Sequence, residues 1–230
     1  MKIKNFNQNK VLILSALKRF CLGIVILGLI LFLCAGDINY WNAWLYLTAL
    51  SISIFLFGVF LYIKDKELLQ KRLNTGEKEE EQKAYTFIAG LSFLSTFVVC
   101  GLDYRFNWSH VPFAASIIAL LIMLAGFGLF VLTLMYNRYA SRVVEIQNGQ
   151  KVIDTGVYAA VRHPMYTAAI IMFFSSPIVL DSYYAVIPML LFLIGIIMRI
   201  INEEKILRNG LEEYGNYIKK VKYRLIPFIW

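Results

Sequence analysis

The sequence has few charged residues and few cysteines, and both shortages restrict the class of protein. Only 17% of the 230 residues are charged and 59% are hydrophobic, which is not the composition of a soluble domain. The three cysteines lie in apolar runs at irregular spacing, so the sequence predicts neither a disulfide framework nor a zinc site. It also has no G-x-G-x-x-G loop on a strand–helix turn, which excludes a standard dinucleotide motif.

Long apolar runs predict an all-α, polytopic integral membrane protein, because a spanning helix needs about 20 mostly apolar residues. We predict six spans: Phe20–Ala35, Trp41–Ile63, Ala84–Leu102, Pro112–Met135, Met165–Leu180 and Tyr184–Ile201. The last two are short and little more than Asp181 and Ser182 separates them, so we expect a tight helical hairpin. A cleavable signal peptide would also explain the first run, but no A-x-A site follows it.

The distribution of basic residues predicts the orientation in the membrane. With six spans, 22 of the 23 Lys and Arg residues fall on one side, and only Arg105 falls on the other. Positive charge collects in cytoplasmic loops, so we expect both termini in the cytoplasm, of a plasma or inner membrane if the source is bacterial. The formal net charge of +8 follows from this bias and favours contact with anionic membrane lipids, so we do not expect nucleic-acid binding.

The chain divides into two regions of different character. Residues 1–135 form a transmembrane region with four spans, and residues 136–230 contain a polar segment, the helical hairpin and a cytoplasmic tail. The segment 136–164 has extended stretches around the turn "QNGQ" and no strong helix pattern. Segments of this length between spans are commonly functional.

The motif "RHPMY" begins the predicted hairpin. Pro164 suits the first turn of a helix, Arg162 follows the positive-inside bias, and Tyr166 suits an interfacial anchor. These structural explanations leave only His163 without a role.

A second polar group lies where the hairpin returns. Arg199 and Glu203 are four residues apart and share one helix face, whereas Glu204 points about a quarter-turn away. An interfacial ion pair with a snorkelling arginine would explain this pair alone. However, the hairpin brings it to the same depth as "RHPMY", and such convergence favours a functional site.

Three blocks in the last 95 residues carry a family resemblance: "TGVYAAVRHPMY", "RIINEEKIL" and "LEEYGNYIKKVKYRLIPFIW". In this order they resemble the isoprenylcysteine carboxyl methyltransferase family and its prokaryotic relatives, with a more distant similarity to phospholipid methyltransferases. The resemblance implies a membrane methyltransferase that uses S-adenosylmethionine without a Rossmann domain. The family often has glycine two residues after the motif tyrosine, where this chain has Ala168.

The resemblance also implies residue roles. It assigns cofactor binding to Gln150, Lys151, Val152, Ile153, Tyr158, His163, Pro164, Met165, Tyr166 and Glu203. Arg199 would face the substrate, and Arg199 and Glu203 are the expected catalytic residues. No metal is expected.

The chemistry leaves the methyl acceptor open, although we favour a lipid-linked or hydrophobic carboxylate. An arginine clamp suits a carboxylate, which is ionised at neutral pH. A free carboxylate such as Glu203 or Glu204 would serve as base for an amine, as in phospholipid N-methylation. Two further alternatives are a sterol-type reductase that uses NADPH and a lipid-binding scaffold without enzymatic activity.

Overall fold

The computed structural model describes residues 2–73, 80–140 and 143–230, and every regular element in these ranges is helical. The α-helices are α1 (Lys2–Ala35), α2 (Trp41–Lys64), α3 (Lys66–Leu73), α4 (Glu80–Phe106), α5 (Phe113–Tyr136), α6 (Pro164–Val179), α7 (Val186–Gly210) and α8 (Tyr214–Lys220). A short 3₁₀ turn, Gly156–Ala159, lies between α5 and α6. The all-α prediction is therefore confirmed. Two of the predicted cytoplasmic basic residues, Lys78 and Arg142, lie outside the described residues.

Within these described ranges, five helices are long and apolar enough to cross a membrane, which confirms a polytopic integral membrane protein. These spans are Asn9–Ala35 in α1, all of α2, Gln82–Phe106 in α4, and all of α5 and α7. The other predicted span, Met165–Leu180, corresponds to α6, which has 16 residues. Its length of about 24 Å is less than the roughly 30 Å of a bilayer's hydrocarbon core.

α6 can be this short because protein surrounds it. None of its residues is more than partly exposed. At its start, the backbone N–H of His163 donates to the carbonyl of Arg224 at 2.9 Å. At its end, the hydroxyl of Tyr40 donates to the carbonyl of Leu180. Non-helical backbone within a membrane is stable where neighbouring protein groups form hydrogen bonds with it. The minimum length of a lipid-exposed spanning helix therefore does not apply to α6.

Two helix pairs place the ends of the hairpin: α6 packs along α5, and α7 packs along α4. Gly126 of α5 makes the first contact close, because a Cβ at this position would lie 2.8 Å from Cγ2 of Ile171. Small residues allow this kind of backbone approach between membrane helices. As a result, the start of α6 and the last turns of α7 lie together at one end of the bundle.

Candidate active site

A pocket lies where the start of α6, the last turns of α7, the segment after α5 and α8 meet. Its walls include ten of the eleven residues that the resemblance implies: Gln150, Lys151, Val152, Ile153, Tyr158, His163, Met165, Tyr166, Arg199 and Glu203. The eleventh, Pro164, is instead buried as the first residue of α6. The structure thus brings the implied residues to one place, while their individual roles stay predictions.

A chain of hydrogen bonds connects three helices across the pocket. The hydroxyl of Tyr166 on α6 donates to Oε2 of Glu203 at 2.7 Å. The same hydroxyl accepts from Nε of Arg199 at 2.9 Å, and Nη1 of Arg199 donates to Oγ1 of Thr86 on α4 at 2.7 Å. Tyr166 therefore fixes the carboxylate and the guanidinium relative to each other, and the expected meeting of the two polar groups across the hairpin is present.

A buried ion cluster centred on Glu204 supports this wall. Glu204 is 3% exposed, and its carboxylate accepts from Nε of Arg162 at 2.7 Å. Nη2 of Arg224 lies 3.1 Å and Nε2 of His163 lies 3.3 Å from the same carboxylate. Arg162 also donates to two backbone carbonyls in the segment after α8, both at 2.7 Å. The cluster therefore fastens the start of α6, the end of α7 and the C-terminal segment together.

The structure adds to one interpretation of the sequence at this cluster and corrects another. Arg162, which follows the positive-inside bias in the sequence, is 6% exposed and paired with Glu204. Glu204 is not a free base, because the guanidinium groups of Arg162 and Arg224 both hold it. The ion pair joins residues 42 positions apart, so no local periodicity could predict it.

The segment before α6 is folded by its own polar side chains. The backbone N–H of Gln147 donates to Oε1 of Gln150 at 2.9 Å, and Nε2 of Gln147 donates to the carbonyl of Tyr139 at 2.8 Å. The hydroxyl of Tyr139 reaches the carbonyl of Gly149 at 2.9 Å. The side chain of Gln150 thus stabilises the turn, and the turn directs residues 150–153 along the pocket.

Three tyrosines form the pocket wall next to α8, and two of them were not expected from the sequence. The hydroxyl of Tyr217 donates to the carbonyl of Tyr158 at 2.8 Å. The hydroxyl of Tyr214 is buried and makes no hydrogen bond within the described part of the chain. Burial, and then the negative charges of Glu204 and Glu203, raises the pKa of Tyr214, which therefore remains a proton donor. Tyr214 and Tyr217 are three residues apart and so share one face of α8, and this spacing is the sequence feature that could have predicted their common position.

These walls suit a ligand that has apolar, polar and positively charged parts. Apolar side chains line part of the pocket, namely Val152, Ile206, Leu207 and Leu211. The hydroxyl of Tyr214 offers a hydrogen bond, and Glu203 offers a negative charge. S-Adenosylmethionine combines an aromatic base, hydroxyl groups and a sulfonium, so these residues fit it. The enclosed volume is about 100 Å³, so a whole cofactor requires the walls to move apart or lies partly outside them.

Residues 114–214 match the family model of phospholipid methyltransferases. The predicted resemblance to membrane methyltransferases is confirmed. A solved structure of a eukaryotic intramembrane Ras methyltransferase, isoprenylcysteine carboxyl methyltransferase, is similar over 96% of this chain and 97% of that chain, at 18% identity and a TM-score of 0.44. No curated protein matches the chain at a significant level.

The methyltransferase region contains all eleven residues that the resemblance implies, from Gln150 to Glu203. The prediction of a membrane methyltransferase, an enzyme class that uses S-adenosylmethionine, is confirmed. The match favours this class over the reductase and scaffold alternatives. The matched region begins in α5, before the predicted boundary at residue 136. The division of the chain into residues 1–135 and 136–230 stays a prediction.

Proposed function

We propose that this protein transfers a methyl group from S-adenosylmethionine to a lipid-linked or otherwise hydrophobic acceptor, and that the accepting group is a carboxylate. The observation that carries the proposal is the hydrogen-bonded chain of Glu203, Tyr166 and Arg199. These three hydrogen-bonded residues line a pocket inside the region that matches the phospholipid methyltransferase model. Their arrangement places one acidic and one basic group on either side of a shared hydroxyl.

The cofactor would lie against the wall formed by residues 150–153, Tyr214 and Glu203. S-Adenosylmethionine supplies, when bound, a methyl group attached to a positively charged sulfur. Glu203 provides the negative charge that favours a cationic ligand at this position. The buried hydroxyl of Tyr214 gains the hydrogen-bond partner that it lacks within the described protein, and buried polar groups are normally paired.

Arg199 would bind the acceptor. A carboxylate is ionised at neutral pH, and a guanidinium holds it through charge-assisted hydrogen bonds. Tyr166 and Thr86 hold Arg199 from two other helices, so the guanidinium is oriented before the acceptor arrives. Methyl transfer by displacement depends mainly on alignment and on exclusion of water, and the buried side chain of Tyr166 serves both purposes.

Methylation of a phospholipid amine is the second candidate, because the matching family model is that of phospholipid methyltransferases. An ammonium group must lose a proton before it can accept a methyl group. Glu203 lies on the pocket wall and is a carboxylate that could take this proton, whereas Glu204 is held in the ion cluster. Arg199 is therefore required for carboxylate methylation, where it binds the acceptor, but not for amine methylation.

We further propose that the site faces the cytoplasm, with both termini on that side. The site lies at the end of the bundle opposite the loops around Gly36, Asn107 and Asp181, and the sequence near those loops holds one basic residue, Arg105. Positive charge opposes translocation. A cysteine substituted at Lys219 should react with an impermeant maleimide only from the cytoplasmic side; labelling from outside would reverse the orientation.

An acceptor panel separates the two chemistries. Purified protein in nanodiscs, with labelled S-adenosylmethionine, is offered either a farnesylated cysteine carboxylate or phosphatidylethanolamine. We expect label in the acid and, for Arg199→Gln, a loss of about a hundredfold. Arg138→Ala, which removes an exposed arginine paired with Asp65 at the same end, should retain activity. Label in phosphatidylethanolamine alone would select the amine reaction.

A further inference from the structure

The segment 221–230, which follows α8, ends in a turn with highly exposed apolar side chains. Phe228 is 87% exposed and Ile229 is 76% exposed, more than any other large hydrophobic residue in the described part of the chain. Ile226 is exposed as well. We refer to residues 226–229 as the apolar tip. Apolar side chains that are exposed together commonly mark a contact surface.

The apolar tip lies beside the helices of the bundle. Leu225 belongs to one apolar cluster with Tyr166 of α6 and Ile200 of α7, and Trp230 packs against this cluster. α7 is long and apolar enough to cross a membrane. Oγ1 of Thr167, in the first turn of α6, donates to the carbonyl of Leu225 at 2.8 Å. The segment therefore returns to the membrane helices and does not extend away from them.

The backbone around the tip satisfies most of its hydrogen-bonding groups internally. The main-chain oxygen of Trp230 accepts from the N–H groups of residues 224–226 at 2.8 to 3.2 Å. The carbonyl of Ile226 accepts from the N–H groups of Ile229 and Trp230, both at 3.2 Å. Pro227 has no N–H group. Irregular backbone needs such pairing where lipid replaces water, so this turn suits apolar surroundings.

We propose that the apolar tip inserts into the interfacial layer of the bilayer, and that Lys219 and Lys222 contact anionic lipid head groups there. Both lysines precede the tip and are exposed. Basic side chains at a membrane surface attract anionic lipids, and apolar burial together with this attraction drives interfacial binding. The partner is the lipid of the membrane itself, so this inference does not depend on the methyl acceptor.

Lipid contact at the tip would hold the start of α6 in place. The N–H of Arg162 donates to the carbonyl of Tyr223, and the N–H of His163 donates to the carbonyl of Arg224, both at 2.9 Å. These N–H groups precede the helix and have no partner within its own turns. The segment that carries the tip therefore supplies their acceptors, and the bilayer becomes part of the support of the candidate site.

Spin-label accessibility tests the insertion without requiring turnover. The three native cysteines, Cys21, Cys34 and Cys100, are replaced by alanine, and a nitroxide is attached to Phe228→Cys in full-length protein. The protein is placed in nanodiscs that contain phosphatidylglycerol. We expect collisions with oxygen, which dissolves in acyl chains, to exceed collisions with a water-soluble nickel chelate. Glu212→Cys, at an exposed polar position, should show the reverse.

The head-group contact is tested with the same label. Nanodiscs of phosphatidylcholine alone should give the label at position 228 fewer oxygen collisions than nanodiscs with phosphatidylglycerol, because the anionic lipid attracts the lysines. Replacement of both Lys219 and Lys222 by glutamine should remove this difference.

Hydrogen exchange tests the support of α6. Phe228→Asp should accelerate exchange at the amides of residues 162 and 163 about tenfold, as expected when one large apolar side chain leaves the lipid. Phe228→Leu keeps an apolar side chain and should not accelerate it. Asn209→Asp adds the same charge at an exposed position near the end of α7 and serves as the matched control.

Four results would overturn the inference. Predominant nickel collisions at position 228 would place the tip in water. Protection from both reagents would mean that protein, such as a second copy of this chain, covers it. Equal oxygen collisions with and without phosphatidylglycerol would reject the head-group contact, and unchanged exchange in Phe228→Asp would reject the support of α6.

Discussion

Replacement of Glu204 by glutamine should destabilise the protein strongly, although the side chain keeps its size. Glu204 is 3% exposed and Arg162 is 6% exposed, and their contact is 2.7 Å long. The amide leaves Arg162 buried without its counter-ion. Removal of one partner from a buried ion pair costs about 3–5 kcal/mol. Arg162 keeps two carbonyl acceptors at 2.7 Å, so we expect the lower end, about 3 kcal/mol.

The assay is thermal unfolding in detergent, followed by tryptophan fluorescence at neutral pH. For a chain of this length, about 3 kcal/mol corresponds to a decrease in Tm of roughly 6–12 °C. Glu212→Gln removes the same charge from an exposed position nearby, and should shift the free energy of unfolding by less than about 0.5 kcal/mol. If Glu204→Gln melts together with Glu212→Gln, the ion cluster does not stabilise the protein and the reasoning fails.

Four further outcomes are expected. Tyr214→Phe should weaken S-adenosylhomocysteine binding about 2–10-fold by calorimetry, the worth of one neutral hydrogen bond; an unchanged Kd would exclude this contact. Because the pKa of Tyr214 is raised in the folded protein, its contribution to stability should be lost as the pH rises above about 10, and melting of Tyr214→Phe should depend less on alkaline pH. Glu203→Gln should reduce labelled methyl transfer at least about a hundredfold while leaving the Tm within a few degrees; equal loss of both would indicate a structural role. Gly126→Leu should cost about 1–3 kcal/mol by overpacking against Ile171, with Gly128→Leu as the matched control in thermal melting.

The sequence predicted the helical membrane fold because span length and hydrophobicity are local properties. Five of the six predicted spans correspond to helices that meet both criteria. α6 does not, since its stability depends on surrounding protein that caps both ends. A single apolar run cannot reveal that its neighbours will cover it.

The candidate site was predictable where its residues share one helix or one hairpin. Arg199 and Glu203 are one turn apart, and the hairpin brings Tyr166 to them. The ion pair of Arg162 with Glu204, and the burial of the Tyr214 hydroxyl away from any hydrogen-bond partner among the described residues, depend instead on the path of the chain after α7. No periodic pattern encodes that path, and the charge of Arg162 alone gives no reason to expect its burial.

Transfer of a labelled methyl group is the most direct test of the central claim. Wild-type protein in nanodiscs is incubated with S-adenosylmethionine labelled in its methyl group and a native lipid extract, and products are identified by mass spectrometry. The account predicts a labelled hydrophobic product that disappears in Glu203→Gln and remains in Arg138→Ala. No labelled lipid from the wild type, together with no detectable binding of S-adenosylhomocysteine, would contradict it.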